Sequence, residues 1–280
     1  MSEAVSGDES GDESGGARPD DAVAALLPRS LTLQREGPIA ILRLARPAKR
    51  NALDDATVLG LEAFFAAPPS DVRAVVLDAE GEHFSAGLDL AELGDTDAVA
   101  GVEHSRFWHR VFDRMERGRL PVVSVLKGAV VGGGLELAAA THVRVAESGA
   151  FYALPEARHG LFVGGGGSVR IPRLIGVPRM TDMMLTGRVL DADEGQQLGI
   201  STYLTEPGGG FPKALELAHR IAANPPTSTF AVLQALPRIA AARDEEGYLM
   251  ESLMAAISSS SADAQDRMSA FLDGHAGKVR

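Results

Sequence analysis

Short apolar runs, separated by glycine and proline turns, divide the chain into candidate strands. Residues 31–35 and 39–44 are two such runs on either side of Gly37 and Pro38. Two apolar runs joined by a tight turn are typical of a β-hairpin. Almost wholly apolar runs predict further, buried strands at residues 72–77, 121–126 and 143–146.

Segments with helical spacing of apolar residues lie between these strands. Asn51 or Asp54 can cap a helix that continues to about Ala67. After the glycine turn at 132–134 comes a short helix that ends near Ala140. Other predicted helical segments are residues 98–118, 178–186, 191–198, 211–223, 229–242 and 244–257. Because strands and helices alternate, the pattern indicates an α/β fold.

Composition narrows the class of protein. The 280 residues are 45% hydrophobic, enough for a sizeable core, and the formal net charge is -11. Residues 1–21 contain seven acids against a single arginine and a repeated Gly-Asp-Glu-Ser, so we expect residues 1–28 to form a disordered acidic tail. An acidic chain repels nucleic acid and anionic membrane surfaces, which argues against both as partners.

Two absences from the sequence bear on its location. The chain has no cysteine, which excludes disulfides and thiolate metal sites and fits a reducing compartment. It also has no apolar run of about 18 residues and no basic, apolar signal peptide at its start. We therefore expect a cytoplasmic protein.

Three glycine-containing loops carry the candidate chemistry, and each follows a strand-like run. The second loop, Gly132 to Glu136 with the residues after it, does not fit a dinucleotide-binding fingerprint. That fingerprint needs a third small residue at the position where this chain has Leu137. His83 stands where a serine nucleophile elbow needs glycine, and the histidines lack metal-binding spacing. The loops are His83 to Asp89, Gly132 to Glu136, and Pro155-Glu156 with Gly164 to Gly167.

Together with the segment Arg46-Pro47-Ala48-Lys49-Arg50-Asn51-Ala52-Leu53, these loops in this order resemble the crotonase (enoyl-CoA hydratase/isomerase) family over about residues 31–273. The resemblance implies a crotonase-like spiral of ββα units over 29–210. It implies a C-terminal helical trimerisation region over 211–280, with a homotrimer or a dimer of trimers as the assembly.

The resemblance also implies the site. The thioester carbonyl would be held by the backbone N–H groups of Ala86 and Gly133, an oxyanion hole that stabilises developing negative charge. Glu136 and Glu156 would be the acid and base that add water to a 2-enoyl-CoA. Coenzyme A, as part of an acyl-CoA thioester substrate, is the only cofactor expected, and no metal. The resemblance places substrate and coenzyme A contacts at Lys49, Arg50, Ser85, Leu88, Asp89, Gly132 and Gly164.

Other interpretations stay open at this point. A single glutamate would suffice for an enoyl-CoA isomerase, and a noncatalytic acyl-CoA-binding or scaffold protein could keep the fold. Arg158 and His159 read as surface residues, although a place in the acyl pocket would favour a polar or aromatic acyl group. Phe107, Trp108 and Phe112 fit either the acyl pocket or the core. Gly274 stands where many hydratases have a lysine that reaches coenzyme A, a role Lys278 could take.

Overall fold

The computed structural model of the protein describes residues 26–92, 94 and 97–273. Most of the predicted acidic tail, together with Gly274 and Lys278, lies outside the described residues. The strands of the described part are β1 (Leu31–Glu36), β2 (Ile39–Leu44), β3 (Ala74–Ala79), β4 (Val122–Leu126), β5 (Ala129–Val131), β6 (Val143–Glu147), β7 (Phe151–Ala153), β8 (Leu190–Asp191) and β9 (Tyr203–Thr205).

The strands form a large and a small sheet. The large sheet has the order β1-β2-β3-β4-β6-β9, and the small sheet has the order β5-β7-β8. The hairpin β1–β2 pairs antiparallel with Leu31 opposite Leu44, as the turn at Gly37 predicts. The other pairs of the large sheet are parallel, and the small sheet adds the antiparallel pair β7–β8.

Helices follow the strands and continue beyond them. Their bounds are α1 (Asp55–Ala66), α2 (Ala98–Glu116), α3 (Gly133–Ala139), α4 (Gly167–Ile175), α5 (Val177–Thr186), α6 (Ala192–Leu198), α7 (Gly210–Ala222), α8 (Pro226–Phe230), α9 (Leu236–Ala241), α10 (Asp244–Ser259) and α11 (Ala262–Leu272). A π-helical turn, Ala231–Ala235, joins α8 to α9. In the described part of the chain, no helix is both long and apolar enough to cross a bilayer.

The order of elements gives the spiral expected from the resemblance. A strand of the large sheet, β4, is followed by a strand of the small sheet, β5, and then by α3. The next turn repeats this order with β6, β7 and then α4. Each turn of the spiral therefore places one loop, the one between the small-sheet strand and the helix, on the same side of the molecule. This arrangement confirms the predicted α/β class and the ββα units.

Two apolar layers hold the spiral together. The larger core lies between the sheets and includes Phe64, Phe84, Phe112 and Tyr152, all fully buried. The smaller core packs α7, through Leu217, on the opposite face of the large sheet. The first helix of the predicted C-terminal region therefore covers the sheet, whereas α10 and α11 leave large apolar side chains exposed, among them Tyr248, Leu253 and Phe271.

Candidate active site

A cavity of about 590 Å³ opens where the three glycine-containing loops meet. Parallel strands send their carboxyl ends to one edge of a sheet, so loops distant in sequence converge there. The wall of the cavity also includes apolar side chains from α2 and from residues 161–163. Of the residues predicted from the sequence, the cavity is lined by Ala86, Leu88, Gly132, Gly133, Glu136, Glu156 and Gly164.

Glu136 lies in the first turn of α3 and is 3% exposed. Its Oε1 accepts hydrogen bonds from the backbone N–H groups of Gly165 and Gly167, both at 2.8 Å. Burial raises the pKa of this carboxyl group, and the hydrogen bonds from the glycine backbone oppose that rise. The two donors fix the orientation of the carboxylate toward the cavity.

Glu156 follows β7 and begins a short 3₁₀ turn, Glu156–His159. Its Oε2 is buried, and within the described residues that atom has no hydrogen-bond partner. Burial raises the pKa of Glu156 to about 7, and the nearby charge of Glu136 adds to the rise. A carboxyl group with this pKa changes protonation near neutral pH, as general acid–base catalysis requires.

The backbone N–H of Ala86 is not available to a ligand, which corrects the prediction made from the sequence. It donates a 2.9 Å hydrogen bond to the carbonyl oxygen of Arg50. That carbonyl faces Ala86 because Arg50 and Asn51 both adopt left-handed backbone conformations, with φ of 50° and 54°. Ala86 therefore lines the cavity without offering a donor to it.

Leu88 provides the donor that Ala86 lacks. In the part of the chain that the structure describes, no hydrogen bond is made by the backbone N–H of Leu88 or by that of Gly133. Gly133 is the first residue of α3, where helical N–H groups have no partner within the helix. A Cβ placed on Gly133 would lie 3.3 Å from the Leu88 nitrogen. The two free N–H groups are thus neighbours on the cavity wall.

Gly132 has a backbone conformation that only glycine adopts readily, with φ of 52° and ψ of -123°. A Cβ there would lie 2.8 Å from Oε1 of Glu156. The conformation turns the chain from β5 into α3 and brings the turn close to the second glutamate. Its role is in the backbone geometry of the site.

Ser85 and Asp89 hold their loop in place. The Ser85 side chain is fully buried, and its hydroxyl donates to the carbonyl oxygen of Asn51 at 2.8 Å. That placement corrects the expectation that Ser85 contacts coenzyme A. Asp89 accepts a 2.7 Å hydrogen bond from Arg46, which lowers the pKa of the Asp89 carboxyl. Arg46 also binds Asp54 at 3.1 Å, so it links the loop to the start of α1.

Lys49 and Arg50 do not line the cavity. Both are exposed, Lys49 as the last residue of the 3₁₀ segment Pro47–Lys49 and Arg50 directly after it, next to the loop that ends at Asp89. Lys49 lies 3.8 Å from Asp89 and keeps 60% of its side chain exposed. Their part in binding coenzyme A stays a prediction.

The aromatic residues of α2 divide between core and cavity. Phe112 is buried in the core, whereas Trp108 lines the cavity although it is only 3% exposed. His159 is exposed and lines the cavity, in contrast to the surface role expected for it. Arg158 is a surface residue, as expected, and donates to the carbonyl oxygen of Thr186.

Several residues of the site were not identified from the sequence. Gly165 and Gly167 bind Glu136, although only the glycine cluster that contains them was noted. Asp55 and His104 also line the cavity. Their separation of 49 residues carries no local signal, and only the packing of α1 against α2 brings them together.

Comparison with known proteins places the chain among enzymes that act on coenzyme A thioesters. The sequence model of the enoyl-CoA hydratase/isomerase family matches residues 34–276. A short-chain-enoyl-CoA hydratase of Clostridium acetobutylicum is 30% identical over 247 residues, which cover 87% of this chain and 95% of the relative.

Solved structures agree with this assignment. A protein of Rhodopseudomonas palustris, provisionally named an enoyl-CoA hydratase, is 56% identical to this chain. Its structure has a TM-score of 0.86, and the match covers 88% of this chain and 95% of its own. An enoyl-CoA hydratase of Bacillus anthracis is 25% identical, with a TM-score of 0.83 over 89% of this chain and 98% of its own.

Proposed function

The chain belongs to the enoyl-CoA hydratase/isomerase family, and from this we propose that it is an enoyl-CoA hydratase working through Glu136 and Glu156. It adds water reversibly to a 2-enoyl-CoA thioester and gives a 3-hydroxyacyl-CoA. One observation carries the proposal: the two glutamates line the same cavity as the free N–H groups of Leu88 and Gly133. A carboxylate pair and an oxyanion hole are the groups that this reaction needs.

The N–H groups of Leu88 and Gly133 bind the thioester carbonyl oxygen. When water attacks the β carbon, electrons move through the α carbon toward that oxygen, and negative charge develops on it. Donors held in place before the reaction stabilise such charge without having to reorganise, and loss of one typically costs about 3 kcal/mol.

Glu136 is the base in this scheme. Two backbone donors bind its Oε1, and donors of this kind favour the ionised carboxylate. Ionised Glu136 accepts a proton from water as the water oxygen bonds to the β carbon. Glu156, with its raised pKa, carries a proton near neutral pH and delivers it to the α carbon. Transfer of the proton from Glu136 back to Glu156 restores the starting state.

Lys49 and Arg50 are the proposed contacts for the phosphates of coenzyme A. Both are exposed cations on the turn beside the loop of Leu88, so a thioester held at Leu88 brings its coenzyme toward them. Cationic side chains form strong hydrogen bonds with phosphate. Coenzyme A in the substrate is the only cofactor this scheme uses.

The proposed assembly is a trimer or a dimer of trimers in the cytoplasm. Large apolar residues on α10 and α11 support it, because exposed apolar patches of this kind mark protein interfaces. They include Tyr248, Leu249, Leu253, Ile257, Met268 and Phe271. Light scattering on the purified protein should give a mass that is a multiple of three chains, and a monomer would contradict the assembly.

The proposed activity is tested by following loss of the conjugated thioester absorbance of crotonyl-CoA, with the 3-hydroxyacyl product identified by mass. Glu136→Gln and Glu156→Gln should each lower kcat by roughly 100- to 10,000-fold. Glu216→Gln is the matched control, because Glu216 is an exposed residue of α7 outside the cavity.

Other products would support other functions. Interconversion of 2-enoyl-CoA and 3-enoyl-CoA thioesters without hydration would point to an enoyl-CoA isomerase. Binding of coenzyme A thioesters without turnover of any would point to the noncatalytic protein. Either result would overturn the proposed hydratase activity.

A further inference from the structure

Asp55, His104 and Trp108 form a polar group in the wall of the catalytic cavity. Oδ1 of Asp55 accepts from Nε2 of His104 at 2.7 Å and from Nε1 of Trp108 at 3.3 Å. The imidazole and indole rings are 5.8 Å apart. We call Asp55 and His104 the polar wall. The catalytic scheme above does not use Asp55 or His104.

The polar wall contributes mainly hydrogen-bond acceptors to the lining of the cavity. Nε2 of His104 donates to the Asp55 carboxylate, which leaves Nδ1 as the acceptor in an imidazole that carries one proton. Within the described residues, neither Nδ1 of His104 nor Oδ2 of Asp55 has a hydrogen-bond partner. Both side chains keep part of their surface open, 31% for His104 and 40% for Asp55. A ligand that donates a hydrogen bond complements this arrangement.

The indole of Trp108 separates the polar wall from the reacting groups. A Cβ on Gly133 would lie 3.2 Å from Cζ3 of Trp108, and a Cβ on Gly165 would lie 3.2 Å from its Cε3. The benzene edge of the indole thus packs against the oxyanion-hole glycine and the loop that holds Glu136. The opposite edge, with Nε1, contacts Asp55. The polar wall therefore lies one ring away from the thioester, where the distal part of an acyl group can reach it.

Ser105 and His159 are further polar residues of the cavity, but much of it is apolar. The apolar residues that line the cavity include Leu88, Leu90, Leu161, Phe162 and Val163. Apolar surfaces of this kind bind the carbon chain of a ligand. A carboxylate at the end of that chain would be repelled by Asp55, since like charges close together are unfavourable. A hydroxyl group can donate to Asp55 or to His104 without that repulsion.

We propose that Asp55 and His104 bind a hydroxyl group on the acyl chain beyond the β carbon, so that the preferred substrates are hydroxylated 2-enoyl-CoA thioesters. The proposal rests on the proposed function, because it assigns the substrate class of the same cavity. Asp55 and His104 thereby determine specificity, and the glutamate pair carries out the reaction. The hydroxyl contact is made equally before and during the reaction, so it affects KM more than kcat.

The test compares ω-hydroxy-2-enoyl-CoA thioesters of increasing length with their unsubstituted counterparts. Cinnamoyl-CoA and 4-hydroxycinnamoyl-CoA form a second pair, which separates aryl from alkyl hydroxyl groups. In the pair whose acyl chain fits the cavity best, the hydroxylated member should have a kcat/KM about tenfold higher, mainly because its KM is lower. His104→Phe, which keeps a ring, and Asp55→Ala should each bring that ratio close to one. His219→Phe, a surface change at a residue bonded to Glu36, should leave the ratio unchanged.

A measurement without turnover separates this proposal from the proposed function. Calorimetric titration with the saturated ω-hydroxyacyl-CoA and its unsubstituted counterpart should show the same preference, lost in His104→Phe. Equal affinities of the two compounds, or a preference that survives in both variants, would overturn the hydroxyl contact. If no enoyl-CoA is hydrated, crotonyl-CoA included, the hydratase function fails, while the binding ratio still decides whether the polar wall recognises a hydroxyl group.

Discussion

The backbone N–H of Gly167 donates a 2.8 Å hydrogen bond to Oε1 of Glu136. Gly167 begins α4, and Glu136 lies in the first turn of α3, so the contact joins the starts of two helices from successive turns of the spiral. A Cβ on Gly167 would lie 2.8 Å from Cγ of Glu136 and 2.9 Å from its Oε1. Glycine therefore allows the donor to approach the carboxylate this closely.

The substitution Gly167→Ala should displace the Glu136 carboxylate and lower kcat by at least about tenfold, because a misplaced general base loses much of its contribution. Gly149→Ala is the matched control, since nothing lies within 4 Å of a Cβ at that position. Hydration of crotonyl-CoA and the melting temperature should be measured for both. A Gly167→Ala enzyme with unchanged kcat would show that the position of Glu136 does not limit the reaction.

The pH dependence of kcat/KM follows from the pKa of Glu156, which is raised to about 7. The free enzyme needs the protonated form of this group, which predominates below that pKa and is lost above it. We expect kcat/KM to fall about tenfold per pH unit once the pH passes about 7. Glu136 must be ionised, and burial raises its pKa, so activity should also fall on the acidic side. A profile that stays flat from neutral to alkaline pH would remove Glu156 from the role of acid.

Arg46 is predicted to position the loop that contains Leu88. Its guanidinium binds Asp89 at 2.7 Å, Asp54 at 3.1 Å and the carbonyl oxygen of Ala52 at 2.6 Å. Arg46→Ala should cost roughly 1 to 2 kcal/mol of unfolding free energy, measured in urea, and lower kcat for crotonyl-CoA. Arg110→Ala removes an exposed pair with Glu62 and should change neither quantity appreciably. If Arg46→Ala loses stability but keeps full kcat, the loop does not depend on this arginine for its geometry.

The fold was largely predictable because its main strands are buried and apolar. The hairpin and the strands of the large sheet up to β6 were located within about two residues, as is usual for element boundaries. The small sheet was missed. Its strands β5, β7 and β8 have two or three residues each, too few for a pattern, and β5 runs directly into the glycine turn.

The glutamates of the candidate site were predictable, but only one of its two oxyanion-hole donors was. Glu136, Glu156 and Gly133 come together as expected. Which N–H group of the loop Ser85 to Asp89 remains free depends on the Arg50 carbonyl, and the direction of that carbonyl is set by the left-handed turn at Arg50 and Asn51. A tertiary contact of this kind leaves no local mark in the sequence.

The assignment of the oxyanion hole can be tested by replacing single backbone N–H groups with ester oxygens, through incorporation of α-hydroxy acids at Leu88 and at Ala86. The change removes one donor and keeps the side chain. At Leu88 it should lower kcat for crotonyl-CoA by roughly 100- to 1,000-fold, the usual effect of losing one such donor.

The ester at Ala86 is the matched control, because it breaks the bond to the Arg50 carbonyl and leaves the proposed hole intact. This ester should lower the free energy of unfolding by about 1 kcal/mol and should reduce kcat only slightly. The reverse pattern, with the larger loss of kcat at Ala86, would mean that this loop rearranges when the thioester binds and that Ala86 releases Arg50 to bind the carbonyl oxygen. The two esters thus decide between a hole that is formed before the substrate arrives and one that the substrate must induce.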